Sequence, residues 1–168
     1  MKRLSLLLFL ALLPVSSFFA LTKINELPGK IAIHFDVSGA PDAWIDRDYY
    51  RILVIGSLIA LPLLIVWLMG WLPRLIDGKG QVPNSEYWFA QERRPSTESF
   101  LIGHASWLGC FSVAVIYGVH VLIAGANLVN PPHLDSDRLI TVLVIYLVGL
   151  SWWIATFMRR FQRVDRNG

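Results

Sequence analysis

The sequence predicts an all-α membrane protein, a four-transmembrane-helix bundle with a short structured extracytoplasmic loop between its first two helices. Three observations lead there. Four long apolar runs, residues 4–21, 52–72, 100–126 and 139–157, are each about as long as a helix needs to cross the hydrocarbon of a bilayer. The chain is 55% hydrophobic and only 16% charged, which is too apolar for an ordinary soluble domain. Between the first two runs lies residues 27–44, LPGKIAIHFDVSGAPDAW, where strand and turn residues succeed one another.

The first run follows a basic start, Met1-Lys2-Arg3. A cleaved leader needs small residues before the cut. Cleavage after Ala20 would place Phe18 at the third position back, and cleavage after Ser17 is the permissible alternative. A retained first span is expected. In the loop that follows, residues 22–48, Ile31, Ile33 and Phe35 alternate with Ala32, His34 and Asp36, the period of a short strand. Ser38-Gly39-Ala40-Pro41-Asp42 supplies a turn, because Gly39 permits positive φ and Pro41 fixes its own. Asp46 or Asp48 is expected to cap the second helix, and Tyr49 and Tyr50 to sit in the interfacial aromatic belt.

Pro62 falls in the middle of the second run and predicts a kink, while Trp67 and Trp71 mark the opposite interface. Residues 75–99 form the second loop. Asp77-Gly78-Lys79-Gly80 reads as a turn and Pro83-Asn84-Ser85 as a helix start. A short interfacial helix is expected over residues 86–94, with Tyr87, Trp88 and Phe89 toward lipid and Glu92, Arg93 and Arg94 toward water. In the third run Ser106, Cys110, Ala114 and Gly118 recur every fourth residue, a ridge of small side chains suited to close helix packing. That ridge predicts packing within one bundle, with homo-oligomerisation through the third span as the alternative. Residues 127–137 form a polar loop with Pro131-Pro132, and the fourth run ends at Trp152 and Trp153 before Arg159, Arg160, Arg163 and Arg166.

Lys and Arg divide roughly two to one in favour of the side holding both termini and the second loop, which places that side in the cytoplasm. The net charge of +3 is then explained by segments flanking the spans, and no nucleic-acid partner is implied. The chain divides into residues 1–74, two spans with their outer loop, and residues 75–168, a cytoplasmic interfacial segment with spans three and four.

Chemistry-bearing residues are few. The lone Cys110 lies in an apolar run and reads as a buried, unreactive thiol. His34, His120 and His133 fall on the outer side with Asp36, Asp42, Asp135 and Asp137, but no two histidines lie within a helical turn, so no metal site is predicted. His120 is expected to bond a neighbouring backbone or Asn127, and His104, one turn into the third span, to reach water or Glu98. No span carries an Asp, Glu, Lys or Arg at its middle, which argues against a charged transport pathway. There is no Gly-x-Ser-x-Gly, His-Glu-x-x-His or phosphate-cradling glycine loop, and neither an enzyme nor a cofactor is expected.

Leu27-Pro28-Gly29-Lys30-Ile31-Ala32-Ile33-His34-Phe35, followed by Gly39-Ala40-Pro41-Asp42, resembles a bacterial membrane domain catalogued as domain of unknown function 1648. Its pattern runs Leu-Pro, Ile-x-x-His-Phe or similar, then Gly-x-x-Asp. The resemblance covers residues 4–72 and implies the bacterial cytoplasmic (inner) membrane. The same domain opens the immunity proteins against the sporulation-delay toxin. Those carry a Gly-Ile-Arg-Thr-Pro-like stretch after a Pro-Asn, whereas here Pro83-Asn84 leads into Ser-Glu-Tyr-Trp-Phe-Ala-Gln-Glu-Arg-Arg, which is similar to shorter members of the domain family.

Together these features predict a non-enzymatic multi-pass protein, seated in the lipid bilayer, that meets a peptide or membrane-protein partner. His34, Asp36, Gly39 and Asp42 are the expected partner-binding residues. Asn84, Tyr87, Trp88, Arg93 and Arg94 are an expected cytoplasmic docking stretch. The other expectations are toxin-immunity-like signalling and a transporter or transporter accessory subunit. The transporter would need a hydrated cavity near Pro62, Ser57, Ser112 and Thr141.

Overall fold

The computed structural model describes residues 2–162 and is 73% helical. Its elements run α1 (Lys2–Asn25), β1 (Lys30–Phe35), β2 (Pro41–Asp46), α2 (Arg47–Val66), a π-helical segment (Trp67–Trp71), α3 (Leu72–Leu75), α4 (Ser85–Trp88), α5 (Arg94–Asn127) and α6 (Ser136–Gln162). Among the described residues four helical stretches are long and apolar enough to cross a membrane: Arg3–Asn25, Arg47–Leu75, Arg94–Asn127 and Ser136–Gln162. They alternate in direction, so one end of the molecule gathers the hairpin and the loop before α6. The other end gathers the segment between α3 and α5. Arg163 and Arg166, counted in the charge asymmetry, lie outside the described residues.

α5 is the central element and packs against α1, α2 and α6, so residues 1–74 and 75–168 share one core. That core joins Phe9, Leu13, Ala20 and Ile24 of α1 to Tyr50, Val54, Leu58 and Val66 of α2 and to Val113 and Ala124 of α5. Buried positions on α2 recur every fourth residue, at Tyr50, Val54, Leu58, Pro62 and Val66. The expected ridge on α5 is buried over its first half, at Ser106 and Cys110, but Ala114 is exposed and Gly118 only half-buried. Beside it Leu101, Ala105, Gly109 and Val113 make a second buried line. A Cβ at Gly109 would lie 2.7 Å from both Phe9 and Val66, so a glycine is required where the three helices meet. α6 is peripheral. Ile140, Val144, Ile145, Leu147 and Val148 on it are exposed.

α2 continues through Pro62 as an α-helix, and the departure from α geometry comes later, at Trp67–Trp71. Pro73 has no N–H to return to the preceding turn, and the wider π turn falls just before it. There Gly70 packs on α5, where a Cβ would stand 3.1 Å from that of Ala105.

Two expectations near the α2 start are corrected. Asp46 is the N-cap residue by position but makes no side-chain capping bond. Asp48 instead takes Arg51 at 2.7 Å. Of the two tyrosines only Tyr49 is exposed; Tyr50 is turned into the core.

The expected interfacial helix over residues 86–94 is not formed. Helix is confined to Ser85–Trp88, and Arg94 already opens α5 with a proline in its first turn. Phe89 faces inward, into a small second core with Val82, Leu101 and Phe161. Trp88 Nε1 and Asn84 Nδ2 both donate to the carbonyl of Phe161, at 3.1 and 2.9 Å. The second loop is thus tied to the backbone of the last described turn of α6.

Candidate functional site

β1 and β2 form an antiparallel hairpin over the ends of α1, α2 and α5. Only the first strand has the alternation of a strand in sequence. β2 opens on Pro41, tolerated at the first position of an edge strand. Lys30 pairs with Asp46, Ile31 with Ile45 and Ala32 with Trp44, after which the register shifts so that His34 faces Ala43 and Phe35 faces Pro41. Ile33 and Asp42 are left without partners, one on each strand. Such bulges re-aim side chains. Here Asp42 Oδ1 comes within 2.5 Å of His34 Nδ1.

The hairpin is fixed from three sides. Ile31 is fully buried against the helix core. Asn127, the last residue of α5, accepts the Ala32 N–H and donates to the Ala32 carbonyl. The Arg47 guanidinium donates to the carbonyl of Leu27, and its backbone N–H to that of Gly29, both at 2.9 Å. At the tip, Asp36 Oδ1 accepts from the Ser38 N–H at 2.8 Å, the Ser38 hydroxyl at 2.6 Å and the Ala40 N–H at 3.0 Å. The Ser38 hydroxyl first, then the backbone amides, hold the Asp36 carboxyl below its ordinary pKa, since each bond favours the charged form. Gly39 sits at φ +84°, and its carbonyl accepts the Leu134 N–H at 3.0 Å from the loop before α6. A side chain there would run into the Leu134 backbone and His133.

The four expected loop residues therefore divide. Asp36 and Gly39 build the turn and dock it. His34 and Asp42 are free to meet solvent, with side chains 70% and 49% exposed. Trp44, which sequence reasoning did not single out, is exposed on the same strand as Asp42 and two residues on, and Val37 is fully exposed at the tip. An indole left in solvent beside a hydrogen-bonded imidazole and carboxylate was legible only once β2 was recognised as a strand. Beside the tip, Ser38 and Val37 face His133, Leu134 and Asp135 across an open polar cleft of about 350 Å³.

His120 and His104 have internal roles, whereas His133 is exposed. His120 Nδ1 is 2.9 Å from the Tyr50 hydroxyl, so its partner is Tyr50 rather than Asn127. His104 does not reach Glu98, whose carboxylate takes Arg74 at 3.1 Å and Arg94 at 2.9 Å. Instead His104 stacks between Phe100 and Trp153, and its Nε2 lies 3.2 Å from the Trp153 carbonyl. Trp153 Nε1 returns a bond to the His104 carbonyl at 2.9 Å. This exchange fastens α6 to α5.

Among the described residues no three His, Cys, Asp or Glu side chains converge in a metal-binding arrangement. Asp135 is engaged in capping α6, accepting the Arg138 N–H at 3.1 Å, and in an ion pair with the Arg138 side chain. The stretch expected to dock a cytoplasmic partner spends its polar groups on the fold. Besides the Asn84 and Trp88 bonds to Phe161, Arg93 donates to the Tyr87 carbonyl and lies 3.8 Å over its ring, and Arg94 pairs with Asp77 and Glu98. Ser112 and Thr141 bond carbonyls of their own helices, and none of the five main clefts is lined by Ser57, Pro62, Ser112 or Thr141.

Fold and site define a helical protein with four potential membrane spans and a rigid two-stranded cap at one end. No protein family, curated protein or solved structure matches the chain.

Proposed function

We propose that this chain is a multi-pass protein of the bacterial cytoplasmic membrane, with both termini in the cytoplasm. Its β-hairpin cap captures a peptide or protein partner outside. One observation carries the proposal: the cap is docked through Ile31, Ala32 and Gly39, yet leaves His34, Asp42, Trp44 and Val37 in solvent. A tryptophan beside a carboxylate–imidazole pair suits a protein surface, because aromatic anchors supply most of the energy at such contacts and charges set their register. Pre-organisation favours binding, because little chain entropy is lost on contact.

The orientation rests on the excess of Lys and Arg at the end away from the hairpin. Retention of the first span is supported by Phe9, Leu13, Ala20 and Ile24, which α1 contributes to the core. The resemblance of residues 27–42 to domain of unknown function 1648 agrees with a bacterial membrane setting.

Co-purification from membranes in mild detergent, compared between wild type and a His34→Ala/Asp42→Ala double variant, tests the proposal. Loss of the same crosslinked partners from the double variant, with membrane insertion intact, is the expected result. Unchanged recovery would remove the cap as the binding site.

A further inference from the structure

At the end opposite the hairpin, a cleft of about 530 Å³ opens between α1, the start of α5 and the end of α6. Arg3, Arg160, Ser96, Ser99, His104 and Trp107 line it, and no carboxylate does. This sets it apart from the neighbouring arginines. Arg74 and Arg94 are neutralised by Glu98 and Asp77, whereas Arg3 and Arg160 have no acidic partner among the described residues. Arg160 is held flat, its guanidinium carbon 4.5 Å over the Phe100 ring and 5.3 Å over that of Trp88. Its Nε is enclosed with no hydrogen-bond partner among the described residues. A guanidinium stacked on two rings and without a carboxylate partner is suited to a phosphate, which accepts from its terminal N–H groups.

The cleft does not end there. Trp107 is shared with a second cleft of about 460 Å³ that is almost wholly apolar and lies between Leu12 of α1, Ala114 of α5 and Trp152 of α6. It lies along the apolar lengths of three helices that are long enough to span a bilayer. A cationic, hydroxyl-bearing mouth leading into an apolar channel has the chemistry of one molecule with an anionic head and a hydrocarbon tail.

We infer that these two clefts together bind one anionic phospholipid, its phosphate between Arg3 and Arg160 with Ser99 as a further donor, and an acyl chain along Trp107, Ala114 and Trp152. A free inorganic anion would leave the apolar arm empty, and a zwitterionic lipid would bring a third cation to a mouth that already has two. The site depends on the membrane setting of the helices but shares no residue with the hairpin cap.

The test uses the full chain in neutral detergent. Native mass spectrometry would follow retention of phosphatidylglycerol and of phosphatidylcholine with matched chains, with and without millimolar inorganic phosphate. One phosphatidylglycerol held in preference to phosphatidylcholine is expected, and phosphate should not displace it. Arg160→Gln should weaken it about five-fold, the usual worth of one basic residue near anionic lipid. Ser99→Glu, at a half-buried position away from the aromatic stack, should weaken it at least as much and keeps the test open if Arg160→Gln does not fold. His34→Ala/Asp42→Ala should leave it unchanged. Equal retention of the two lipids, full displacement by phosphate, or wild-type retention by folded Ser99→Glu would overturn the assignment.

Discussion

Asn127 takes the place of a third strand for Ala32: its Oδ1 accepts the Ala32 N–H at 2.8 Å and its Nδ2 donates to the Ala32 carbonyl at 2.9 Å. Both residues are buried, so neither backbone group has water to turn to. One side chain at the end of α5 therefore sets where the hairpin sits on the bundle. Asn127→Leu should destabilise the cap by about 1–3 kcal/mol for each orphaned group. Hydrogen exchange at the Ala32 amide should rise strongly while the amides of α5 keep their protection. Unchanged exchange at Ala32 would show that the hairpin is held by its apolar face alone.

Tyr50 and His120 form another buried polar link, joining α2 to α5 on the hairpin side. Tyr50→Phe and His120→Leu should each lower thermal stability in detergent, and the double variant should lose less than their sum. A coupling of about 1 kcal/mol is expected, within the span found for polar pairs inside membrane bundles. Strict additivity would mean that the hydroxyl and imidazole are neighbours without a bond.

The hairpin turn should loosen in acid. Asp36 has a folded-state pKa lowered chiefly by the Ser38 hydroxyl and the Ala40 and Ser38 amides. A lowered carboxylate pKa stabilises the folded turn at pH values above the unfolded pKa, and that contribution is lost as pH falls through the folded one. Amide exchange at Ser38 and Ala40, taken relative to the intrinsic rate at each pH, should accelerate as pH falls below the ordinary carboxylate range. In Asp36→Asn it should be fast throughout and lack that acid limb. An acid limb of the same size in Asp36→Asn would assign it to another group.

Much of this arrangement was legible in the sequence because some signals are long. An apolar run of span length has few alternatives, and all four produced helices. The alternation from Ile31 to Phe35 gave β1 for the same reason of period. β2 was hidden because Pro41, Asp42 and Asp46 carry turn and cap signals, leaving only Ala43 and Ile45 to mark its inner face. The packing ridge on α5 was legible only over its first half, at Ser106 and Cys110; the tightest approach falls one residue away, at Gly109, and only the neighbours Phe9 and Val66 reveal it. The start of α5 did leave a trace: Pro95 belongs in a first helical turn, and weighting it over the polar pattern of residues 86–94 would have moved the helix. Trp44 and Asn127 left no trace, since an exposed tryptophan and a pinning asparagine are defined by what lies across from them.

The placement of the cap beyond the membrane is tested most directly by cysteine labelling in intact cells. Val37 is fully exposed at the hairpin tip, and Cys110, the single native cysteine, is buried. A Val37→Cys variant should react with a membrane-impermeant maleimide before the cells are opened, while Lys79→Cys in the second loop should react only afterwards. Labelling of Val37→Cys that appears only after permeabilisation would contradict the account.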